Sequence, residues 1–454
     1  MHTLRRLSLE ALPPEIILQI CFFIWKPQRL RQTRIPCRAE FETAPEKLQT
    51  GHDTLAGQPD LAALGLTCRR MLSIIQPKLY ANPVIIGMDI DGTGDADRRA
   101  RGRFKCFCNT LQKHPHLAEA VASIEVAASA VVGNDAVLVE MFPPTVPNLE
   151  SICLWLPSTV VGNHATPHVA AGLGQTLRLP VHTLQLRGQD ASAYLELGSD
   201  LLQGGWLSKV QTLDLRALAH VEWTSARQQP QQPPLSQDLF ANLTTLRLWH
   251  NTMNMSSFET LLGAVGPCLS SVSICVPEIS DGDRKTQIMS GRGGDSVYAL
   301  PVHDVVRALL PWAHTLRSLT HTVAGHCPFM ELDRVLSDLT SFVALESLWL
   351  ESEYFSAVSN RAALTDTLPP GLFTLRLSGL GYHAEPLEHL RDAIAEGKFP
   401  ALASVAIDEQ GFDPGSEADV NLTSSLSLLR TAGVDVTVLP LSTFDDEKPA
   451  EDEE

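Results

Sequence analysis

The sequence predicts an α/β fold: a curved parallel sheet built one strand per repeat, with helices outside it, preceded by a short all-helical region. Three observations carry this expectation. One apolar pattern returns at a nearly constant interval from about residue 121 onward. The residues between its copies carry helical apolar spacing, and the first ninety residues lack the pattern and instead hold helix-starting prolines ahead of an apolar run.

The recurring pattern is apolar, two residues, apolar, one residue, apolar. It reads Val121-Ile124-Val126, Leu149-Ile152-Leu154, Val181-Leu184-Leu186, Val210-Leu213-Leu215, Leu243-Leu246-Leu248 and Leu269-Val272-Ile274. It continues as Leu345-Leu348-Leu350, Leu372-Leu375-Leu377 and Leu402-Val405-Ile407. A degenerate copy at Leu316-Leu319 has His321 in its third apolar position, and Val434-Val436-Val438 reads as a terminal copy. Successive starts lie 26 to 33 residues apart, with one interval of 47. This is the L-x-x-L-x-L signature of leucine-rich repeats, at a period near 29. Its last two apolar residues are two apart, so both point inward from one short strand.

Helices are expected behind the strands at 258–262, 305–310, 332–339 and 387–394. Loops are expected at 227–234, which is rich in Gln and Pro, and at 280–296, a Gly/Asp/Arg-rich stretch that accounts for the long interval. The repeat pattern normally continues into an asparagine that bonds the loop backbone. Only Asn251 fits, so the turns should be irregular. The repeat array is assigned to 119–440, after a connecting segment at 91–118 and before an acidic, disordered tail at 441–454.

Composition narrows the function classes. With 44% hydrophobic and 19% charged residues the chain supports a large core. The formal net charge is −17; the last ten residues contribute seven acids against one lysine, so the rest still carries −11. Nucleic acid is therefore not an expected partner, although a local basic patch stays open. Nine cysteines at irregular spacings suggest reduced thiols in a cytoplasmic or nuclear protein, and the Cys106-x-Cys108 pair lacks a second pair to complete a zinc site. No metal or other cofactor is expected.

The apolar run 16–25 follows Arg5 and Arg6 in the manner of a secretion signal. Glu10, Glu15, Pro13 and Pro14 interrupt it, no small-residue cleavage site follows, and it is too short to span a membrane. It reads as a buried helix started by Pro13-Pro14, with Ile16, Ile17, Ile20 and Ile24 on one face. Residues 26–59 look like an inserted loop, and Leu61, Leu64, Leu66, Leu72 and Ile75 mark two further short helices ending at Pro77.

These residues carry a resemblance. Leu12-Pro13-Pro14-Glu15-Ile16-Ile17, then Leu64-Gly65-Leu66-Thr67-Cys68-Arg69-Arg70, then Leu79-Tyr80-Ala81-Asn82-Pro83-Val84 resemble the F-box as fungal proteins write it. The resemblance assigns residues 1–90 to an F-box and implies docking on a Skp-type adaptor, which links such proteins to a cullin. Leu12, Pro13, Ile16, Ile17, Ile20, Leu64 and Leu66 would then face the adaptor or brace that surface. The long insert between the first helix and the rest departs from the family pattern. Together with the repeats, this implies a substrate receptor of a cullin-based ubiquitin ligase rather than an enzyme. A helical cap on a repeat scaffold without ubiquitin transfer is the competing reading.

Between the inward residues of each strand lie side chains of the binding face. One column runs Cys153, Gln185, Asp214, Arg247, Ser273, Thr320, Trp349, Arg376, Ala406; the next runs Trp155, Arg187, Arg216, Trp249, Cys275, Thr322, Glu351, Ser378, Asp408. Trp155, Arg187, Arg216, Arg247 and Trp249 form the candidate substrate site, suited to an acidic or phosphorylated protein segment. The alternative is that the arginines pair with neighbours such as Asp214. One enzyme-like motif remains. Val84-Ile85 followed by Asp89-Ile90-Asp91-Gly92-Thr93, with Gly294-Asp295-Ser296 later, resembles haloacid-dehalogenase phosphatases. The repeats occupy the positions where such an enzyme needs alternating strands and helices, so Val84-Ile85 reads as the strand that leaves the F-box.

Overall fold

Every copy of the repeat forms a strand, and its two inward residues are buried, His321 included, except in the terminal copy, where Val438 is half-buried. The computed structural model describes residues 13, 16–17, 69–85, 96–127, 146–156, 181–188, 194–196, 206–218, 220–222, 239–251, 253–276, 300–323, 339–351, 363–378, 385–408 and 417–439. The expected loops at 26–59, 227–234 and 280–296 and the tail at 441–454 lie outside the described residues. The chain divides into two units, Met1–Cys37 with Ala44–Val210, and Arg38–Thr43 with Gln211–Glu454.

In the first unit, Ile16 and Ile17 are helical, and both donate to the Pro13 carbonyl (3.1 and 3.2 Å). Helix α1 (Arg69–Ala81) runs through Pro77 instead of ending there. An internal proline costs a helix about 3 kcal/mol. Burial of Met71 and Ile75 opposes that cost, and so does Tyr80 in the last turn, which stacks on Phe107 at 5.8 Å. Strand β1 (Val84–Ile85) follows, then α2 (Ala96–Lys113), α3 (Pro115–Ala120), β2 (Ser123–Ala127), β3 (Ser151–Leu156), β4 (Thr183–Gly188) and β5 (Tyr194–Glu196).

β1 to β4 pair in parallel and in chain order, with Ile85 opposite Val126, Val126 opposite Leu154, and Leu154 opposite Leu186. The repeated sheet therefore starts at Val84, earlier than the pattern predicts. Residues 91–118, expected as a connector, contain the helices of this opening coil. Ala100, Phe104, Phe107, Cys108 and Leu111 are buried along α2, a spacing of i, i+4, i+7, i+8 and i+11. Three bonds tie α1 to β2: Ala122 N–H to the Ala81 carbonyl, Glu125 N–H to the Pro83 carbonyl, and Ser123 Oγ to Asn82 Oδ1.

The second unit holds β6 (Thr212–Arg216), the short β7 (His220–Glu222), β8 (Thr245–Trp249), β9 (Ser271–Val276), β10 (Ser318–Val323), β11 (Ser347–Glu351), β12 (Thr374–Ser378), β13 (Ser404–Asp408) and β14 (Asp435–Leu439). Apart from β7 these pair in parallel, each with the next in sequence. The terminal copy is real: Val436 lies opposite Val405 and Val438 opposite Ile407. Helices α4 (Met255–Gly263), α5 (Val302–Leu309), α6 (Ala363–Thr367), α7 (Glu385–Ala395) and α8 (Glu417–Thr431) fill the intervals. Three of the four expected helices are α4, α5 and α7, while most of 332–339 lies outside the described residues. The expectations missed α8, whose run of Ser, Thr and Asn dilutes its apolar period.

The coils join by one repeated device. At the entries of β3, β4 and β8 to β13, two successive N–H groups converge on one carbonyl of the preceding coil, as Thr244 and Thr245 do on Gln211 (both 2.9 Å) and Glu346 and Ser347 on Arg317 (both 2.9 Å). The second residue of the entry is Ser or Thr in all ten copies ahead of the terminal one, which has Asp435 there: Ser123, Ser151, Thr183, Thr212, Thr245, Ser271, Ser318, Ser347, Thr374 and Ser404. A small, half-buried side chain suits this crowded step. Gly266 marks the tightest approach, since a Cβ there would sit 2.3 Å from the Ala241 carbonyl oxygen. Its own carbonyl accepts the buried Trp312 indole N–H at 2.8 Å.

Candidate functional site

The strand register places the two predicted columns on the face opposite the buried residues. In the first unit Trp155 and Arg187 are paired partners on β3 and β4. The Arg187 guanidinium lies 5.6 Å from the Trp155 ring centroid. Glu125 on β2, absent from the predicted site, holds both: its Oε1 accepts the Trp155 indole N–H at 2.7 Å and lies 3.6 Å from Arg187 Nη1. Arg187 Nη2 also donates to Gln185 Oε1 at 3.1 Å.

In the second unit Arg216 and Trp249 repeat the arrangement on β6 and β8, with the guanidinium 4.8 Å from the ring. Asp214, two residues before Arg216 and on the same side of the strand, is fully buried. Arg216 clamps it through Nε at 2.8 Å and Nη2 at 2.7 Å, a fork-to-fork pair. The Trp249 indole N–H donates to Ser273 Oγ at 3.1 Å. The open face thus contains chains of paired side chains, with Arg216 already holding a carboxylate. Arg247 differs: it is exposed and makes no ion pair among the described residues.

A third arginine–tryptophan pair went unrecognised in the sequence. Trp349 and Arg376, paired on β11 and β12, bring guanidinium and ring to 3.7 Å. The signal was present, because both residues occupy the same predicted column on consecutive copies.

Turn geometry next to the site is unusual. Ala217 and His250 each follow the last residue of their strand, and both are left-handed, at φ 53° and 55°. Such backbone costs a non-glycine residue on the order of 1–2 kcal/mol. It lets Ala217 N–H reach the Trp249 carbonyl and His250 N–H the Cys275 carbonyl, each at 2.8 Å. Asn251 supplies the one predicted asparagine rung: it accepts from Leu218 N–H at 3.0 Å and donates to the Leu215 carbonyl at 2.7 Å. His250 Nε2 lies 3.7 Å from Cys275 Sγ. Burial, and then the charge of Arg216, push His250 down to about 4, so its imidazole is neutral at neutral pH.

Of the adaptor-facing residues, Pro13, Ile16 and Ile17 are described, and Leu12, Ile20, Leu64 and Leu66 lie outside the described residues. Ile17 is 1% exposed and Ile16 39%, so two neighbours that look equivalent in the sequence have opposite roles. Leu72 on α1, 40% exposed, is a second large apolar side chain open to solvent in this region. Asp89, Asp91, Gly92, Thr93 and the 294–296 motif lie outside the described residues; the strand ahead of them, β1, is the first of the repeat sheet. No group of three or more His, Cys, Asp or Glu among the described residues could hold a metal ion. No described helix is long and apolar enough to cross a membrane.

No protein-family profile matches the chain. No curated protein matches it. Among solved structures, the chain is similar to the leucine-rich repeat-containing protein LegL7 from Legionella pneumophila, at 16% identity and a TM-score of 0.38, over 79% of this chain and 90% of that one.

Proposed function

We propose that the protein is the substrate-recognition subunit of a cullin-based (SCF-type) ubiquitin ligase. In this reading the N-terminal F-box docks a Skp-type adaptor, and the open face of the repeat sheet selects a substrate protein. The observation that carries it is the F-box resemblance in three ordered segments, supported by the exposure of Ile16 and Leu72. An apolar side chain left open on a helix suits a partner surface. Leu12, Pro13, Ile20, Leu64 and Leu66 complete the docking set by resemblance, and Ile17 braces it from beneath.

Co-purification with the Skp-type adaptor tests this role. Ile16→Asp and Leu72→Asp, both at exposed positions, should each reduce the adaptor recovered by about tenfold or more, the order of an interface hot spot. Undiminished recovery from two well-folded variants would leave the competing reading, a repeat scaffold without ubiquitin transfer.

For the substrate, Arg216, Arg247 and Trp249 remain a proposed contact set in the second unit, and Trp155 with Arg187 a separate one in the first, with roles divided by their partners. Arg247 offers an open cation to a carboxylate or phosphate, with Trp249 buried beneath Arg216, and in the first unit the partly exposed Trp155 offers ring area. Arg187 and Arg216 act as braces that hold those rings. The partner is then a segment with one acidic or phosphorylated residue beside apolar ones. In a screen of phosphorylated and acidic peptides on the full chain, Arg247→Glu should weaken the selected peptide about tenfold, the loss of one charge-assisted pair. Equal binding by this variant would remove Arg247 from the site.

A further inference from the structure

The strongest cationic surface among the described residues is not on the open face of the sheet. It is the outer side of α2, in the first unit. This helix reads ADRRARGRFKCFCNTLQK, with six Arg or Lys and Asp97 as its one acid, in a chain of net charge −17. At 100° per residue its buried side chains, Ala100, Phe104, Phe107, Cys108 and Leu111, occupy one arc. Arg101, Arg103, Lys105 and Lys113 project from the remaining arc and are exposed. Arg101, Lys105 and Lys113 make no ion pair among the described residues.

Two features favour the helix, Asp97 four residues before Arg101 and Lys113 in the last turn, and the rest of the charge pattern opposes it. Arg101 and Lys105 are like charges at i and i+4, as are Arg99 and Arg103, and such pairs oppose the helix by about 0.2–0.5 kcal/mol each. Cations in the first turns also face the positive end of the helix dipole. A surface helix placed there only for solubility gains from mixed signs, and this one carries almost none. The buried arc holds the helix in place, and the outer arc leaves Arg101, Lys105 and Lys113 open to an anionic partner.

We propose that the outer face of α2 is a docking surface for a short run of acidic residues in a polypeptide. The exposed cations span Arg101 to Lys113, about 18 Å of helix, which an extended peptide of about six residues covers. Charge decides between a short acidic peptide and a larger polyanion. A nucleic-acid duplex or an anionic membrane extends well beyond the helix and meets a protein carrying −17 overall, whereas a segment of matching length meets only the cations. Four of the six cations are arginine, whose planar fork suits carboxylates. This surface is separate from the open face of the sheet and does not depend on the ubiquitin-ligase reading.

Anisotropy of a fluorescent hepta-glutamate peptide titrated with the full-length chain tests the assignment. Binding is expected to weaken about tenfold between roughly 50 and 300 mM salt, as for paired charges near a surface. The double variant Arg101→Glu with Lys105→Glu should bind the probe at least tenfold more weakly. The same variant should melt close to the parent, because it exchanges one exposed like-charge pair for another. A purely structural role for these cations predicts the reverse, a lower melting temperature with unchanged binding. Equal binding by a folded variant would overturn the proposal, and so would tighter binding of a DNA duplex or of anionic vesicles than of the peptide.

Discussion

Arg216→Met is expected to destabilise the second unit by about 3–5 kcal/mol, the usual result of stripping the partner from a buried charge. Methionine keeps much of the apolar stem and deletes the charged fork, which lies 4.8 Å from the Trp249 ring. What remains is Asp214, fully buried on β6 and deprived of both bonds that Arg216 gave it. Urea unfolding followed by tryptophan fluorescence measures the loss. Asp214→Met combined with Arg216→Met should recover most of it, because an apolar pair leaves no orphaned charge. A single-variant loss under about 0.5 kcal/mol, the scale of an ordinary surface substitution, would show that the pair does not anchor this face. The outcome also bears on how substrate binding is tested. Reversing the charge of Arg216 would disturb the sheet itself, so lost capture in that variant would say little about contact. Arg247, exposed and outside any ion pair among the described residues, is the position where charge and fold separate.

The sheet was legible because its code is short. Two inward residues per strand, two apart, fix the face of every other side chain, so the columns read from the sequence match the observed register within each unit. The pairings on the open face were less legible, because alternation says which side a residue takes and not which neighbour it chooses. Asp214 was foreseen as a partner for Arg216, but Glu125 was overlooked since the predicted column began one strand late, at Cys153. The Ser/Thr step of the ten copies was plain in the text and passed unnoticed among the leucines. Ile16 and Ile17 show where local sequence stops being informative. Both are apolar and adjacent, and only the packing of the rest of the unit decides which one is covered. α1 makes a related point, since Pro77 predicts a helix end and tertiary contacts on either side of it carry the helix on to Ala81.

His321 is expected to make the second unit acid-sensitive. It occupies the inward position filled by Ile274 on β9 and Leu350 on β11, and it is fully buried. Its Nε2 donates to the Leu300 carbonyl at 2.8 Å, which fixes the proton on that nitrogen because a carbonyl can only accept. Burial pushes its pKa down to about 4, from the ordinary 6.5 it keeps when unfolded. Between these values the unfolded chain binds the proton and the folded chain does not. The stabilising contribution is therefore complete above about pH 6.5 and is lost progressively as the pH falls toward 4. At pH 5 the loss from this residue is about 2 kcal/mol. His250, lowered to a similar value, titrates over the same range and adds to the effect. His321→Leu restores the repeat residue and removes one of the two titrating groups. It also leaves the Leu300 carbonyl without this donor, so the variant should gain little at pH 7.5. Its advantage should appear in the difference between unfolding free energies, from urea titrations at pH 7.5 and pH 5, which is expected to shrink by about 2 kcal/mol relative to the parent. An undiminished difference would assign the acid sensitivity to His250 and its neighbours beside Arg216, and His321 would stand as a buried polar substitute for leucine with no titration of consequence.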